Sequence, residues 1–357
     1  MSERRMDPDA RIALLVHGHL VELAGKMASG MLRYADEKVC AVIDRDHAGR
    51  AVMDVMPIRS DTPVVASVRK AAALGADTLL VGVAPPGGRL PDGWRNEILE
   101  ALDAGMSLVN PLHDRWEADE ELRARLKPGR YIWDVRAEPP NLQLATGEAE
   151  RLSVPRVLTV GTDMGSGKMT AALELVRAAE RQGRRVGFVA TGQVGICISG
   201  WGVAIDAVRV DFAAGAVEAA VVRAAQDADL VLIEGQGGLP HPAATANLAL
   251  LRGAMPTHLL MVHRAGQTAI RTQPWARVPP LKPLIRLYED LAECCGCFRR
   301  PQTIGVALNT SNLSDEDAGE AVRSVESETG LPVTDPVRFG CGPLVAALEA
   351  DLSARAK

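Results

Sequence analysis

One stretch decides the fold: Arg156-Val157-Leu158-Thr159-Val160-Gly161-Thr162-Asp163-Met164-Gly165-Ser166-Gly167-Lys168, an apolar run that leads into a glycine-rich turn ending in a lysine. The apolar run predicts a buried strand, and residues 169–182 predict a helix. A glycine-rich turn between them can wrap around a phosphate, because its amides point inward and the helix N-terminus carries partial positive charge. The sequence therefore predicts a phosphate-binding loop over residues 161–168, with Met169 and Thr170 opening the helix.

The loop departs from the usual Gly-x-x-x-x-Gly-Lys-[Ser/Thr] pattern at two positions. Thr162 stands at the first glycine, with Gly161 one residue earlier, a variant that resembles the loop of dethiobiotin synthetases. Met169 replaces the hydroxyl that normally holds magnesium, and Thr170 lies about 100° further around the helix. We expect phosphate binding, whereas magnesium-dependent ATP cleavage is not favoured. The alternative is an ordinary tight turn between strand and helix.

Apolar runs alternate with helical patterns on both sides of this loop. Because each crossover lays a helix across the sheet, this alternation predicts an α/β fold with two parallel sheets covered by helices. The predicted strands are residues 12–16, 39–44, 78–83 and 107–109 in the first sheet, and 156–160, 186–190, 230–233, 258–262 and 304–308 in the second.

The length and the distribution of prolines predict two domains. A chain of 357 residues exceeds the usual size of one hydrophobic core. Residues 136–155 are rich in proline and polar side chains, and the prolines deny the backbone its helix and ladder donors. We therefore place an amino-terminal domain at residues 1–138, a linker at 139–155 and a carboxyl-terminal domain at 156–357.

The composition, with 47% hydrophobic and 24% charged residues, is that of an ordinary globular protein. The net charge of −5 argues against a nucleic-acid partner, which needs clustered lysines and arginines. The first ten residues are polar, and the apolar run that follows is too short for a signal sequence or a membrane span, so we expect a cytoplasmic protein. Cys294, Cys295 and Cys297 lack the further ligands of a closed zinc site, so no metal is expected.

Four side chains are predicted to lie at the carboxyl edge of the second sheet, where open α/β proteins bind ligands. Glu234 follows a strand directly and, like Asp211, could accept a proton from an amine. His241 could lie on the same rim, and Gln193 follows another strand and could contact the substrate. Alternatively, the two carboxylates cap a helix or face solvent in a loop, and His241 lies at the surface without a role.

Two cations are candidates for holding a substrate carboxylate. Arg338 has the fork geometry that suits a carboxylate, although a surface salt bridge would account for it equally. Lys26 follows the first predicted strand and could reach an anionic substrate across a domain cleft, or could simply face solvent. The first domain has no GxGxxG pattern, so dinucleotide binding there is not supported.

Along nearly its whole length the sequence resembles the bacterial D-glutamate N-acetyltransferase-like proteins, which have an N-terminal Rossmann-like domain and a C-terminal P-loop domain. The sequence departs from the family at one position and in one stretch: Gly238 stands where serine is frequent, and Val262-His263-Arg264-Ala265-Gly266 replaces Cys-His-Asp-Pro-Gly. The resemblance is carried by residues 30–34, 41–44, 77–85, 161–163, 167–170, 190–193, 206–208, 211–212, 234–237, 307–310 and 335–340.

The resemblance implies acetyl transfer from acetyl-coenzyme A to the amino group of a D-amino acid, with D-glutamate as the expected acceptor. We also expect a homo-oligomer. Coenzyme A needs no phosphoryl cleavage, so a loop without its magnesium hydroxyl could still anchor it. One alternative is an enzyme that uses ATP and magnesium to activate a carboxylate, as dethiobiotin synthetase does. The other is a nucleotide-responsive binding protein without turnover.

Overall fold

The structure is a computed structural model that describes residues 6–355. Residues 1–5, on which the expectation of a cytoplasmic protein partly rests, and the last two residues of the expected second domain lie outside this range. The chain divides into two compact units. The amino-terminal unit runs as far as Glu138 and also takes in Gly192–Ala207, whereas the P-loop unit consists of Pro139–Thr191 and the chain from Val208 onward.

The amino-terminal unit is built on six parallel strands in the order β3-β2-β1-β4-β5-β6, which confirms the predicted Rossmann-like parallel sheet. The strands that follow β1 lie on both sides of it, as in doubly wound folds. The strands are β1 (Ile12–Leu15), β2 (Val39–Ile43), β3 (Val64–Val65), β4 (Thr78–Val81), β5 (Ser107–Asn110) and β6 (Ile132–Asp134), and the helices are α1 (Lys26–Tyr34), α2 (Val68–Ala73), α3 (Arg95–Asp103) and α4 (Glu120–Arg125).

The P-loop unit contains a second sheet of six parallel strands, in the order β14-β13-β10-β7-β9-β8, and a separate antiparallel hairpin of β11 and β12. The strands are β7 (Arg156–Gly161), β8 (Val186–Val189), β9 (Leu230–Ile233), β10 (His258–Arg264), β11 (Ala269–Ile270), β12 (Gln273–Arg277), β13 (Gln302–Asn309) and β14 (Val333–Thr334). The helices of this half of the chain are α5 (Lys168–Arg181), α6 (Gln193–Ser199), α7 (Val210–Ala224), α8 (Ala246–Ala254), α9 (Leu281–Glu293), α10 (Asp315–Thr329) and α11 (Gly342–Arg355).

Strand β7 occupies the position in the sheet that favours ligand binding. It lies between β9 and β10, and every one of its residues is buried. Since the strands that follow β7 in the chain lie on both sides of it, the strand order reverses there, and open α/β sheets bind ligands beyond the carboxyl end of such a strand. The loop predicted from the sequence begins at this end of β7.

The opposite end of β7 is fixed by a fully buried arginine. The guanidinium of Arg156 donates hydrogen bonds to four main-chain carbonyls, those of Leu152, Val154, Ala254 and Met255, at 2.9 to 3.2 Å. Burial lowers the pKa of Arg156 to about 10. The arginine thus satisfies carbonyls at the end of α8 and in the segment before β7, which would otherwise be buried without donors.

The segment Gly192–Ala207 leaves the P-loop unit after β8 and folds into the amino-terminal unit. There α6 packs against α1, and Asp206 forms an ion pair with Arg136 at 3.2 Å. Among residues 6–355, no helix has the length and apolar character that crossing a membrane requires.

Candidate functional site

The phosphate loop presents a continuous row of free main-chain donors. Gly165 and Gly167 adopt positive φ angles of 63° and 115°, which glycine adopts without strain and which turn the backbone into the start of α5. Within the described part of the chain, no group accepts a hydrogen bond from the N–H groups of residues 165–170. Six consecutive donors at a helix N-terminus form a site for an anion such as a phosphate.

Lys168 lies inside this loop. Its ammonium donates a hydrogen bond of 2.8 Å to the carbonyl oxygen of Asp163 and lies 3.4 Å from the Oγ of Ser166. Burial lowers the pKa of Lys168 to about 8, although the nearby carboxylates of Asp163 and Glu234 act in the opposite direction. Among the described residues Lys168 forms no ion pair with a carboxylate, so its charge is available to an anion bound in the loop.

The carboxylate of Asp163 holds the chain that follows β10 against the loop. Its Oδ2 accepts a hydrogen bond of 3.0 Å from the main-chain N–H of Arg271 and another from the amide of Gln267. Its Oδ1 accepts from the N–H of Met164 at 2.6 Å. Asp163 thus fastens the hairpin of β11 and β12 to the phosphate loop and is itself fully occupied.

Two arginines approach the loop at Gly165. An Nη atom of Arg264 donates to the carbonyl of Gly165 at 3.2 Å. An Nη atom of Arg271 lies 2.7 Å from the point where a Cβ on Gly165 would be. A side chain at position 165 would therefore require this guanidinium to move, and the positive φ angle of Gly165 independently favours glycine.

A neutral histidine supports the beginning of the loop. The Nδ1 of His263 and the Oγ1 of Thr162 are joined by a hydrogen bond of 3.0 Å. Burial lowers the pKa of His263 to about 4, so the ring is uncharged at neutral pH. From the end of β13, Asn309 donates a hydrogen bond of 3.0 Å to the carbonyl of Ser166.

Gly238 packs directly on the loop backbone. A Cβ at this position would lie 2.7 Å from both the nitrogen of Asp163 and the carbonyl oxygen of Gly161, distances that side-chain carbons do not tolerate. The segment after β9 therefore approaches the loop as closely as two backbones can. The serine that is frequent here in the family would have to displace one of them.

Of the two candidate acids, Glu234 is the one whose charge reaches the phosphate lysine. It is buried at the end of β9, its charge acts on Lys168, and its Oε2 accepts a hydrogen bond of 3.0 Å from the N–H of Thr191. Asp211, in contrast, is exposed in the first turn of α7. Their catalytic roles stay predictions.

Four further residues were predicted for the site: His241, Arg338, Lys26 and Gln193. Both ring nitrogens of the buried His241 are engaged, Nδ1 by the N–H of Ala243 at 3.0 Å and Nε2 by the Oγ1 of Thr272 at 2.9 Å. Arg338 forms an ion pair with Asp315 and donates to the carbonyls of Thr310 and Leu313. Lys26 begins α1 and Gln193 begins α6, both in the amino-terminal unit. The roles predicted for these four residues are untested.

Several residues of the site were not predicted from the sequence. They share one property: each contacts the loop from an element that lies far away in the chain, so no local motif marks it. Two signals were available, because Arg264 stands in a stretch that departs from the family's usual residues and Asn309 stands in one that carries the resemblance. The missed residues are Arg264, Gln267, Arg271, Tyr288 and Asn309.

The described residues contain no group of three or more histidine, cysteine, aspartate or glutamate side chains that could hold a metal ion. Cys294, Cys295 and Cys297 are exposed free thiols at the end of α9.

The sequence matches known families over both units. Residues 143–345 match the family described as a domain of unknown function, DUF1611_C, P-loop domain. Residues 45–138 match the one described as a domain of unknown function, DUF1611_N, Rossmann-like domain. These matches agree with the two folds that the structure shows.

Two named relatives and one solved structure are similar to this chain over most of its length. The chain is 38% identical over 284 residues to a D-glutamate N-acetyltransferase of Pseudoalteromonas sp, covering 79% of this chain and 84% of the relative. It is 36% identical over 286 residues to another of the same name from Tritonibacter scottomollicae, covering 80% and 84%. The crystal structure of a DUF1611 family protein from Anabaena variabilis is 48% identical, with a TM-score of 0.92, and the match covers 96% of this chain and 99% of that one. The chain therefore belongs to the DUF1611 family, as its resemblance implied, and is an enzyme of the acyltransferase class.

Proposed function

We propose that this enzyme transfers the acetyl group of acetyl-coenzyme A to the amino group of a D-amino acid, and that D-glutamate is its acceptor. The proposal is supported by two relatives that carry the name D-glutamate N-acetyltransferase and that match about four fifths of this chain. It is also supported by the form of the phosphate loop.

The observation that carries the proposal is a complete phosphate-binding loop without the hydroxyl that holds magnesium. The N–H groups of residues 165–170 and the ammonium of Lys168 are available to an anion, yet Met169 stands where a serine or threonine would hold the metal. Such a loop suits a nucleotide that is bound and not cleaved. Coenzyme A meets this requirement, because its phosphates take no part in acetyl transfer and can contribute binding energy that positions the thioester.

The transfer itself needs a base, and Glu234 is the best placed acid. In the proposed reaction the acceptor ammonium gives a proton to this carboxylate, and the free amine attacks the thioester carbonyl. The carbon–sulfur bond then breaks, and the second proton lost by the nitrogen ends on the thiolate, so the products are the N-acetyl amino acid, coenzyme A and one proton released from the carboxylate to solvent. No covalent enzyme intermediate is required.

The carboxylates of the acceptor need cationic or amide partners. Lys26, Gln193 and Arg338 remain the proposed candidates. The guanidinium of Arg338 already forms an ion pair with Asp315 and donates hydrogen bonds to two carbonyls. It would therefore contact an acceptor only by exchanging these bonds.

A screen of D- and L-amino acids with acetyl-coenzyme A, read by thiol release and by the mass of the product, tests the proposal. We expect thiol release with D-glutamate, and loss of donor binding in Lys168→Ala. Lys282→Ala, which removes an exposed lysine of α9 in the same unit, is the control. The absence of thiol release with every amino acid, or phosphate release from ATP and magnesium with a carboxylic acid, would contradict the proposal.

A further inference from the structure

We propose that the guanidinium groups of Arg264 and Arg271 form a second phosphate subsite, which binds a phosphate of the donor other than the one held by the loop amides. This inference rests on the proposed function, because it takes the donor to be a coenzyme A thioester. It assigns two arginines to a second phosphate of that donor, in addition to the phosphate that the loop amides bind.

The first observation is the position of Arg264. It ends β10, and its guanidinium reaches the carbonyl of Gly165 at 3.2 Å and the Oγ of Ser311 at 3.5 Å. Both contacts are to uncharged oxygens, so its positive charge is not neutralised by them. Burial lowers the pKa of Arg264 and the neighbouring charge of Arg271 lowers it further, whereas the carboxylate of Asp163 acts in the opposite direction.

The second observation is the way in which Arg271 is held. Its main-chain N–H, and not its side chain, binds the carboxylate of Asp163 at 3.0 Å. The hairpin is thereby fixed by its backbone, and the Arg271 guanidinium is left beside Gly165 without a hydrogen-bond acceptor among the described residues. This is the arrangement expected of a cation reserved for a ligand.

The third observation concerns charge. Lys168, Arg264 and Arg271 bring three cations to one loop, and within residues 6–355 no carboxylate lies at ion-pair distance from either guanidinium. The Asp163 carboxylate already accepts hydrogen bonds from Met164, Gln267 and the Arg271 main chain. Like charges held this close disfavour one another until an anion binds between them. A phosphate matches the guanidinium fork and carries up to two negative charges.

The ligand must therefore carry at least two phosphate groups. Coenzyme A has two sources of a second phosphate, the remainder of its pyrophosphate and the phosphate on its ribose. Acetyl-coenzyme A and acetyl-dephospho-coenzyme A differ only in the ribose phosphate, so a comparison of the two separates these sources.

The test is the dissociation constant of both donors, measured by calorimetry on the full chain, for the wild type, Arg264→Gln and Arg271→Gln. Charge-assisted hydrogen bonds contribute enough that each variant should weaken acetyl-coenzyme A binding roughly ten- to a hundredfold. The matched control is Arg277→Gln, which removes an exposed arginine at the end of β12 on the same hairpin. It should leave both affinities unchanged.

The pattern across the two donors identifies the phosphate. If the variants weaken acetyl-coenzyme A but not acetyl-dephospho-coenzyme A, the arginines hold the ribose phosphate; if both donors weaken equally, they hold the pyrophosphate. Arg271→Lys keeps the charge and loses the fork, so it should fall between the wild type and Arg271→Gln. Unfolding midpoints equal to the wild type show that each variant is folded.

The inference is overturned if both arginine variants bind both donors as tightly as the wild type while Lys168→Ala loses binding. That result would leave the proposed function intact. A wild-type chain that binds neither donor would instead overturn the proposed function and this inference together.

Discussion

The hydroxyl of Tyr288 in α9 donates a hydrogen bond of 2.8 Å to the carbonyl oxygen of Gly161, the residue at which β7 ends and the phosphate loop begins. The same hydroxyl accepts a hydrogen bond of 2.9 Å from the N–H of Leu239, in the segment after β9. Tyr288 is fully buried, and burial raises its pKa to about 12, so it keeps its proton at any working pH. One side chain thus joins two segments that border the site.

Replacing this tyrosine tests that connection. In Tyr288→Phe, the carbonyl of Gly161 and the N–H of Leu239 lose their partner without a large change in volume, which costs about 1–3 kcal/mol for each buried group left unsatisfied. We expect a lower free energy of unfolding in urea and weaker acetyl-coenzyme A binding. Tyr131→Phe, in the amino-terminal unit, is the control for donor binding. Unchanged stability and affinity in Tyr288→Phe would show that the hydroxyl is dispensable.

The lowered pKa of Lys168 predicts how donor binding depends on pH. Below its pKa of about 8 the lysine is charged before the donor arrives, whereas above it the donor must bind together with a proton. Affinity for acetyl-coenzyme A should therefore fall as pH rises above 8, by up to about tenfold per pH unit. Calorimetry between pH 7 and pH 9.5 measures this. Lys168→Arg stays charged throughout, so its weaker or equal affinity should show no such slope, and a flat wild-type profile would refute the assignment.

The buried His263 predicts a loss of stability in acid. In the folded protein it stays neutral down to about pH 4, but in the unfolded chain it takes up a proton near pH 6.5. The contribution of the neutral His263 to the free energy of unfolding is therefore complete above pH 6.5. It is lost as pH falls from 6.5 to 4, by about 3 kcal/mol at most.

The comparison is the free energy of unfolding at pH 7 and pH 4.5 for the wild type and His263→Asn. The asparagine can keep a hydrogen bond to Thr162 but cannot titrate, so the difference between the two pH values should shrink. His19→Asn, at a partly exposed position in the other unit, serves as the control. An equal acid sensitivity in the wild type and His263→Asn would remove His263 as its source.

Gly238 is expected to be intolerant of a side chain. Because a Cβ there would lie 2.7 Å from two main-chain atoms of the loop, Gly238→Ser must move backbone, and overpacking of this kind costs about 1–3 kcal/mol. We expect reduced stability and weaker donor binding. In Gly342→Ala the new Cβ meets no atom within 4 Å, so this variant should behave as the wild type. If Gly238→Ser bound the donor with normal affinity, the loop backbone would be able to shift at little cost in free energy.

The two candidate acids can be separated by a matched pair of amides. Glu234→Gln removes the buried carboxylate that acts on Lys168, whereas Asp211→Asn removes an exposed one. If Glu234 is the base, Glu234→Gln should lower kcat by about 10²–10⁴-fold with donor affinity retained, and Asp211→Asn should have little effect. The reverse pattern would assign the base to Asp211.

The central part of both sheets could be predicted from sequence. Long apolar runs such as residues 156–160 and 258–262 are buried on both faces, so their composition alone reveals them. The edge strands β3 and β14 contain only two residues each and carry no such signal. The hairpin of β11 and β12 was missed for another reason, because it is held by contacts with Asp163 and not by its own hydrophobic pattern.

Of the candidate site, too, only the part that is local in sequence could be predicted. The loop over residues 161–168 is local in sequence, and its glycines and lysine are recognisable by their spacing. The arginines that border it come from a segment about one hundred residues later, and only folding brings them to Gly165. Sequence reasoning could therefore identify the phosphate loop but not the cations around it.

Because the segment Gly192–Ala207 belongs to the amino-terminal unit, it also restricts how this protein can be divided into fragments. A fragment that stops at Glu138 would lack the helix that covers α1, and a fragment that starts at Pro139 would carry α6 without the surface on which it packs. The polypeptide passes between the halves three times, so a single cut cannot release either half whole. Gene fragments, domain exchanges and circular permutants of this enzyme have to keep both crossings around α6 together with the first 138 residues.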